Sequence, residues 1–287
     1  MATVELDIFS GRPNPIWTLD SYQRDELIDQ LRAGTITLLA PDITEGKLGY
    51  RGMIVTLDRT ELAILGRSDG RYRRFRIRSG LAVDADVNSI AETWLLESRP
   101  TGFISDEVGE TATRAVTGPI NTKTVDIEGI AAVAAVAACT IYSTSSTSFT
   151  FWNGTTADRQ NNNCYNYASN WRTGTFAQPG RRSGTMFSSL TLSNISDACK
   201  RDGWSTSCNG SSIVFSLWIW PNTDYHFYRK TADVGGQSRW CHKPGSTNAR
   251  NYDSSGKIIT APAQCDRGSY NTGAVVLYHP AASATVS

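Results

Sequence analysis

The chain has 287 residues, 40% of them hydrophobic and 19% charged, with a formal net charge of +1 at pH 7. That is enough apolar material for one large or two modest domains, each able to bury its own core. The near-neutral balance argues against a nucleic-acid binder, which needs cations facing phosphates, and no run approaches the roughly eighteen apolar residues of a membrane span. The average conceals a break: residues 1–140 carry 15 Lys+Arg and 20 Asp+Glu, whereas residues 141–287 carry 13 and 7. All six cysteines lie between Cys139 and Cys265, and no Glu follows Glu128. The expected organisation is an α+β accessory or recruiting domain over 1–115, a linker with a short apolar helix over 116–140, and a domain bearing the chemistry over 141–287.

The N-terminal stretch MATVELDIFSGRPNP lacks the basic and apolar regions of a secretory signal. The expectation is therefore synthesis in the cytoplasm, with any export by a signal-independent route. ELDIF reads as a strand ended by GRPNP, because proline cannot donate to a ladder. Asp20 and Gln23 have capping-box spacing, Leu27, Ile28 and Leu31 share a helical face, and Gly34 supplies a stop. GMIVTL (52–57) and RYRRFRIRS (71–79) read as strands. The alternating Arg74, Arg76 and Arg78 suggest a solvated strand face, with anion binding as the competing reading. A second helix is predicted from Ser89, with Ile90, Trp94 and Leu95 inward and Pro100 beyond its end. Residues 101–128 read as a linker without clear periodicity, and IAAVAAVAAC (130–139) as a small buried helix.

The segment RQNNNCYNYASNWRTG (159–174) carries the most chemistry. Asparagine is a favoured helix N-cap, so a short helix is expected from Cys164, with Tyr165, Ala168 and Trp171 inward and Gly174 as its stop. A thiol in the first turn sits at the positive end of the helix dipole, which favours the thiolate. A buried structural cysteine is the alternative. FAQPGRRSG (176–184) reads as a loop at the rim of a cleft, with Gln178 and Arg181 as substrate contacts. LSNISDACKRDGW reads as an amphipathic helix, and Cys199 and Cys208 have the spacing of a small disulfide loop.

IVFSLWIW (213–220) reads as a buried strand, DYHFYRK (224–230) as the next, TADVGGQS as a turn and RWCHKPG as the returning strand. His226 and His242 then stand on adjacent antiparallel strands, where their side chains can meet. Cys164, Cys241, His226 and His242 lack the spacing of a zinc site, and adjacent Cys241 and His242 point to opposite faces. No metal or cofactor is expected.

A cysteine opening a helix, then a strand beginning with His, then a hairpin returning to a second polar residue, resembles the papain-like cysteine peptidases and amidases. The NlpC-type and CHAP-type branch is the most similar. The resemblance covers roughly residues 150–280. It implies a helix bearing the cysteine packed on an antiparallel sheet, with Cys164 as nucleophile, His226 as base and His242 as orienting group. NNNCYNYA departs from the usual sequence around an NlpC-type cysteine. The same cysteine fits a second order, that of papain and transglutaminases, with His242 as base and Asn251 or Asp253 as orienter. Oxyanion donors would be the Cys164 backbone N–H with Gln160 or Asn163. The expected reaction is attack of the thiolate on a peptide-type amide, with acyl transfer as a variant. The basic half suggests an acidic substrate. A secreted binding or toxin-like module with structural cysteines is the non-enzymatic alternative.

Overall fold

Asp20 accepts the Gln23 backbone N–H while the Gln23 side chain accepts from Asp20, closing the predicted capping box. In the computed structural model the helix so started, α1 (Ser21–Ala33), ends on Gly34 at φ 72°, a left-handed cap that suits glycine. The structure describes residues 1–36, 38–39, 47–67, 73–77, 85–117, 140–141, 148–208, 211–234, 237–280 and 286–287. The chain is α+β and divides into two compact units. The first contains Met1–Ile8, Asn14–Glu45 and Gly49–Thr122; the second contains Phe9–Pro13, Gly46–Leu48 and Lys123–Ser287. Two short pieces of the stretch expected to form the N-terminal domain thus pack within the second unit.

In the first unit, β1 (Thr3–Asp7), β2 (Ile16–Thr18), β3 (Gly52–Thr56) and β4 (Arg74–Ile77) form an antiparallel sheet in the order β2-β1-β3-β4. The helices are α1, α2 (Arg59–Ile64), α3 (Ala85–Glu97) and α4 (Asp106–Thr117). The register sets Glu5 against Ile54 and Ile54 against Arg76, so Arg76 shares a sheet face with Glu5. Arg76 is not solvated as expected. It is buried and pairs with the buried Asp7, which also binds Arg51, both at 2.7 Å. Arg74 pairs with Glu5. The alternation of the strand holds, but the acidic residues of β1, two strands away across β3 on the same sheet face, convert a solvent face into an ion-pair layer. Arg78 and the apolar stretch 130–139 lie outside the described residues.

Two helix expectations are corrected. Helix α3 begins at Ala85 rather than at Ser89, and Ile90 is 69% exposed while Ala91, Leu95 and Leu96 are buried. The segment read as linker contains α4, whose Val108, Ala112 and Val116 recur every fourth residue and are buried. Asp106 and Glu107 in its first turn complement the helix dipole.

The second unit packs a five-stranded sheet against short helices: β5 (Thr140–Ile141), β6 (Ser211–Trp220), β7 (Asp224–Val234), β8 (Gln237–His242) and β9 (Thr272–Pro280). The antiparallel ladders β6–β7, β7–β8 and β6–β9 form its body, and β5 adds a short parallel bridge to β6. Helices α5 (Phe149–Asn153), α6 (Thr156–Gln160), α7 (Cys164–Ser169) and α8 (Leu192–Arg201) complete the unit. Tyr165 and Ala168 of α7 and Ile195 of α8 join Phe215, Leu217 and Phe227 in one core. Strand β7 runs on to Val234, beyond the strand expected over 224–230. The small disulfide loop expected between Cys199 and Cys208 is not formed, because Cys199 is a free thiol buried in this core.

Asp7→Ala leaves two buried guanidiniums without their carboxylate and lowers unfolding free energy by about 3–5 kcal/mol, measurable by urea denaturation. A loss within about 0.5 kcal/mol, the range of an ordinary surface change, would show that the layer is not buried.

Candidate functional site

Asn163 adopts extended backbone and accepts the Tyr165 and Asn166 N–H groups through one side-chain oxygen, while Asn166 reciprocates to the Asn163 N–H. This places Cys164 at the first position of α7, as expected. The helix ends earlier than predicted, at Ser169, with Asn170 in the left-handed region and Trp171 outside it, 49% exposed. Lys243 donates from its buried ammonium to the carbonyls of Arg159, Asn162 and Gly245, fixing the turn that delivers Cys164.

The thiol does not have the character the helix position suggested. Cys164 is fully buried, and burial pushes its thiol up to about 12. The buried Asp224 carboxylate adds to the rise, and the Ser10 hydroxyl facing the sulfur opposes it. A six-residue helix supplies too little field to overcome desolvation. The thiol lies 3.8 Å from the Tyr225 carbonyl, to which it donates.

The hairpin brings the two histidines together. Tyr228 pairs with His242 in the β7–β8 register, so His226, two residues away on β7, shares a sheet face with His242. His226 Nε2 and His242 Nδ1 are 2.8 Å apart, and His242 Nε2 is 2.8 Å from the Tyr252 carbonyl oxygen. A carbonyl only accepts, so His242 donates from Nε2. Burial holds the His242 ring far below the usual histidine range, to about 3, so it is neutral and its Nδ1 accepts. His226 therefore donates from Nε2, and in its neutral form Nδ1 is the basic lone pair. That lone pair accepts the Ser10 hydroxyl at 2.5 Å. The carbonyl at one end thus fixes every proton in a chain running from Ser10 through His226 and His242 to Tyr252.

Ser10 belongs to the Phe9–Pro13 segment, which packs as part of this unit. The Asp224 carboxylate accepts three successive backbone N–H groups from it, those of Ser10 (2.5 Å), Gly11 (3.1 Å) and Arg12 (3.0 Å), and also the Tyr270 hydroxyl at 2.6 Å. Burial raises the Asp224 carboxyl above its usual range, and these hydrogen bonds oppose the rise. The Gly11 carbonyl accepts from three side chains: Asn163 Nδ2 at 2.6 Å, Gln178 Nε2 at 2.9 Å and the Tyr225 hydroxyl at 3.1 Å. Three convergent donors make a pocket suited to a carbonyl oxygen or an oxyanion.

Asn163, the expected oxyanion donor, and Gln178, the expected substrate contact, meet in this pocket. Gln160 is not among the Gly11 partners; it closes α6, and its carbonyl accepts from Ser246. Arg181 lies on the surface of the loop, donating to Phe176. Neither alternative orienter binds the His242 ring through its side chain. The Asn251 backbone carbonyl accepts from Ile259, and the Asp253 carboxylate accepts from Ser255, Lys257 and Asp266, while the ring takes the Tyr252 carbonyl between them. Cys241 points away from the site into a cluster with Trp152, Tyr167 and Ala249. Sequence reading missed Ser10, Gly11, Asp224 and Tyr225, because Ser10 and His226 are 216 residues apart. Among the described residues, no group of three or more His, Cys, Asp or Glu side chains could hold a metal ion, and no helix is long and apolar enough to cross a membrane.

Fold and site together define an α+β protein with a buried Cys/Ser/His/His cluster beside a three-donor carbonyl pocket. Comparison with known proteins adds a family. The chain is 43% identical over 116 residues to a protein described as insoluble matrix shell protein 1, from Ruditapes philippinarum, a match covering 39% of this chain and 76% of that protein. The chain belongs to the family of that shell matrix protein. No protein-family model matches the chain, and no solved structure matches it.

The neutral His242 sets an acid response. In the unfolded chain the ring protonates near pH 6.5, whereas in the folded protein it stays neutral to about 3. Its contribution is complete above the unfolded value and is lost as pH falls, at up to about 1.4 kcal/mol per pH unit. Urea midpoints between pH 7 and pH 4.5 should fall in the parent and fall less in His242→Gln. Parallel slopes would place the ring in water.

Proposed function

We propose that this chain is a cysteine-dependent amidase or peptidase of the papain-like type, held closed by its own Phe9–Pro13 segment. The observation that carries this reading is the fixed proton chain. It leaves the basic nitrogen of His226 on a hydroxyl that also faces Cys164, beside a pocket of three carbonyl donors. His226 is the base and His242 its orienter. Asn163, Gln178 and Tyr225 stabilise the oxyanion.

With Ser10 withdrawn, the Cys164 thiol gives its proton to His226 Nδ1, and the sulfur attacks the amide carbonyl carbon. The carbon–nitrogen bond breaks as His226 returns the proton to the leaving amine. Water, deprotonated by His226, then attacks the thioester, releasing a carboxylic acid and regenerating the thiol. An amine in place of water gives acyl transfer by the same steps. Closure accounts for the buried, neutral thiol, since removing the segment hydrates the sulfur and lowers the cost of its charge.

A second reading, a non-enzymatic matrix component, draws support from the printed name of the shell relative and from the satisfied hydrogen bonds of the cluster. The two separate on peptide substrates. Under the enzymatic reading, once the segment is displaced, Cys164→Ala and His226→Ala each lower amide turnover by about a hundredfold or more. Turnover that survives both substitutions, or is absent from every opened form of the chain, supports the matrix reading instead.

A further inference from the structure

Gly11 occupies the carbonyl pocket with unusual completeness. Its oxygen takes three side-chain donors, its N–H goes to Asp224, and the flanking N–H groups of Ser10 and Arg12 go to the same carboxylate. A Cβ added at Gly11 would fall inside the van der Waals envelope of the Tyr225 ring. That ring has little room to yield: it is fully buried, and Phe187 and Phe227 pack edge-on against it at 5.7 and 5.6 Å. Each of the three donors thus reaches a backbone carbonyl, with Gln178 Oε1 also facing the Tyr225 hydroxyl at 3.1 Å, and the steric filter acts on the α-carbon.

We infer that the Ser10–Gly11–Arg12 segment sits where a substrate's acyl residue binds, and that the site takes glycyl peptides, with a glycine carbonyl in the place of Gly11. This rests on the amidase reading for its chemistry, though not for its binding selectivity. Backbone recognition by Asp224 and the three carbonyl donors holds the chain. The Tyr225 ring excludes residues with a side chain at that position, as a well-packed wall rejects even one added methyl. Arg12, which donates to the Thr223 carbonyl at 2.6 Å, marks a neighbouring position on the far side of the glycine carbonyl that takes an extended basic residue.

The test uses the full-length chain, iodoacetamide and mass-spectrometric mapping of Cys164. In Gly11→Ala the methyl meets the Tyr225 ring and expels the segment, so alkylation of Cys164 should rise at least about tenfold over the parent (~1.4 kcal/mol of lost protection). Added peptide Phe-Ser-Gly-Arg-Pro should restore protection, and Phe-Ser-Ala-Arg-Pro should not. Equal protection by both peptides, or by neither, overturns the inference, as does unchanged alkylation in a Gly11→Ala chain with native circular dichroism. Should Gly11→Ala fail to fold, Arg12→Ala, which removes the anchor to Thr223 and the guanidinium over the Phe9 ring while keeping the glycine, undergoes the same competition with the same reading. Glycine-selective protection without any slowing of alkylation by His226→Ala supports the binding selectivity while overturning the amidase reading, so the two fail separately.

Discussion

One buried carboxylate organises the second unit. Asp224 stands at the first position of β7 and accepts three consecutive backbone N–H groups from a segment more than two hundred residues earlier in the chain. An unpaired carboxylate at this depth would be costly to charge, and unpaired backbone N–H groups would be nearly as unwelcome. Each satisfies the other. The arrangement then fixes the Ser10 hydroxyl on His226 and the Gly11 carbonyl among its three donors, so the geometry of the whole cluster follows from this clamp.

The clamp also reverses the chemistry that the helix position of Cys164 suggested. A thiol at a helix start becomes nucleophilic when the dipole and a nearby cation outweigh desolvation. Here the segment that supplies Ser10 accompanies complete burial of the sulfur, and desolvation dominates. The histidine pair follows the same logic. His242 is kept neutral by burial and oriented by a carbonyl rather than by a carboxylate, so it sets a tautomer without adding charge. This is a cluster whose proton positions are determined and whose reactive groups are covered.

Much of this was legible in local patterns. Asn163 as cap, Cys164 at the helix start and the shared face of His226 and His242 all follow from short-range rules, namely capping preference and strand alternation. Local sequence also marks Asn163 as an oxyanion donor and Gln178 as a substrate contact, and both meet on the Gly11 carbonyl. What stayed hidden was long-range. Nothing local in SGRPNP marks Ser10 as a partner of His226, and nothing near Asp224 announces that its acceptor capacity is filled from the N-terminal end. The errors in the first unit have the same origin. Arg76 reads as a surface residue until Asp7 on another strand of the same sheet is brought beside it, and α4 escaped because its apolar repeat is built partly from small alanine rather than from large side chains.

The Asp224 carboxylate holds the Phe9–Pro13 segment into the core of the second unit. Hydrogen exchange at the Ser10, Gly11 and Arg12 amides measures it directly. These three amides should exchange as slowly as those of β7, and Asp224→Ala should speed all three together by at least about a hundredfold, the kinetic equivalent of ~2.7 kcal/mol of lost protection. Exchange of the three amides at the rate of an exposed loop in the parent protein would contradict it.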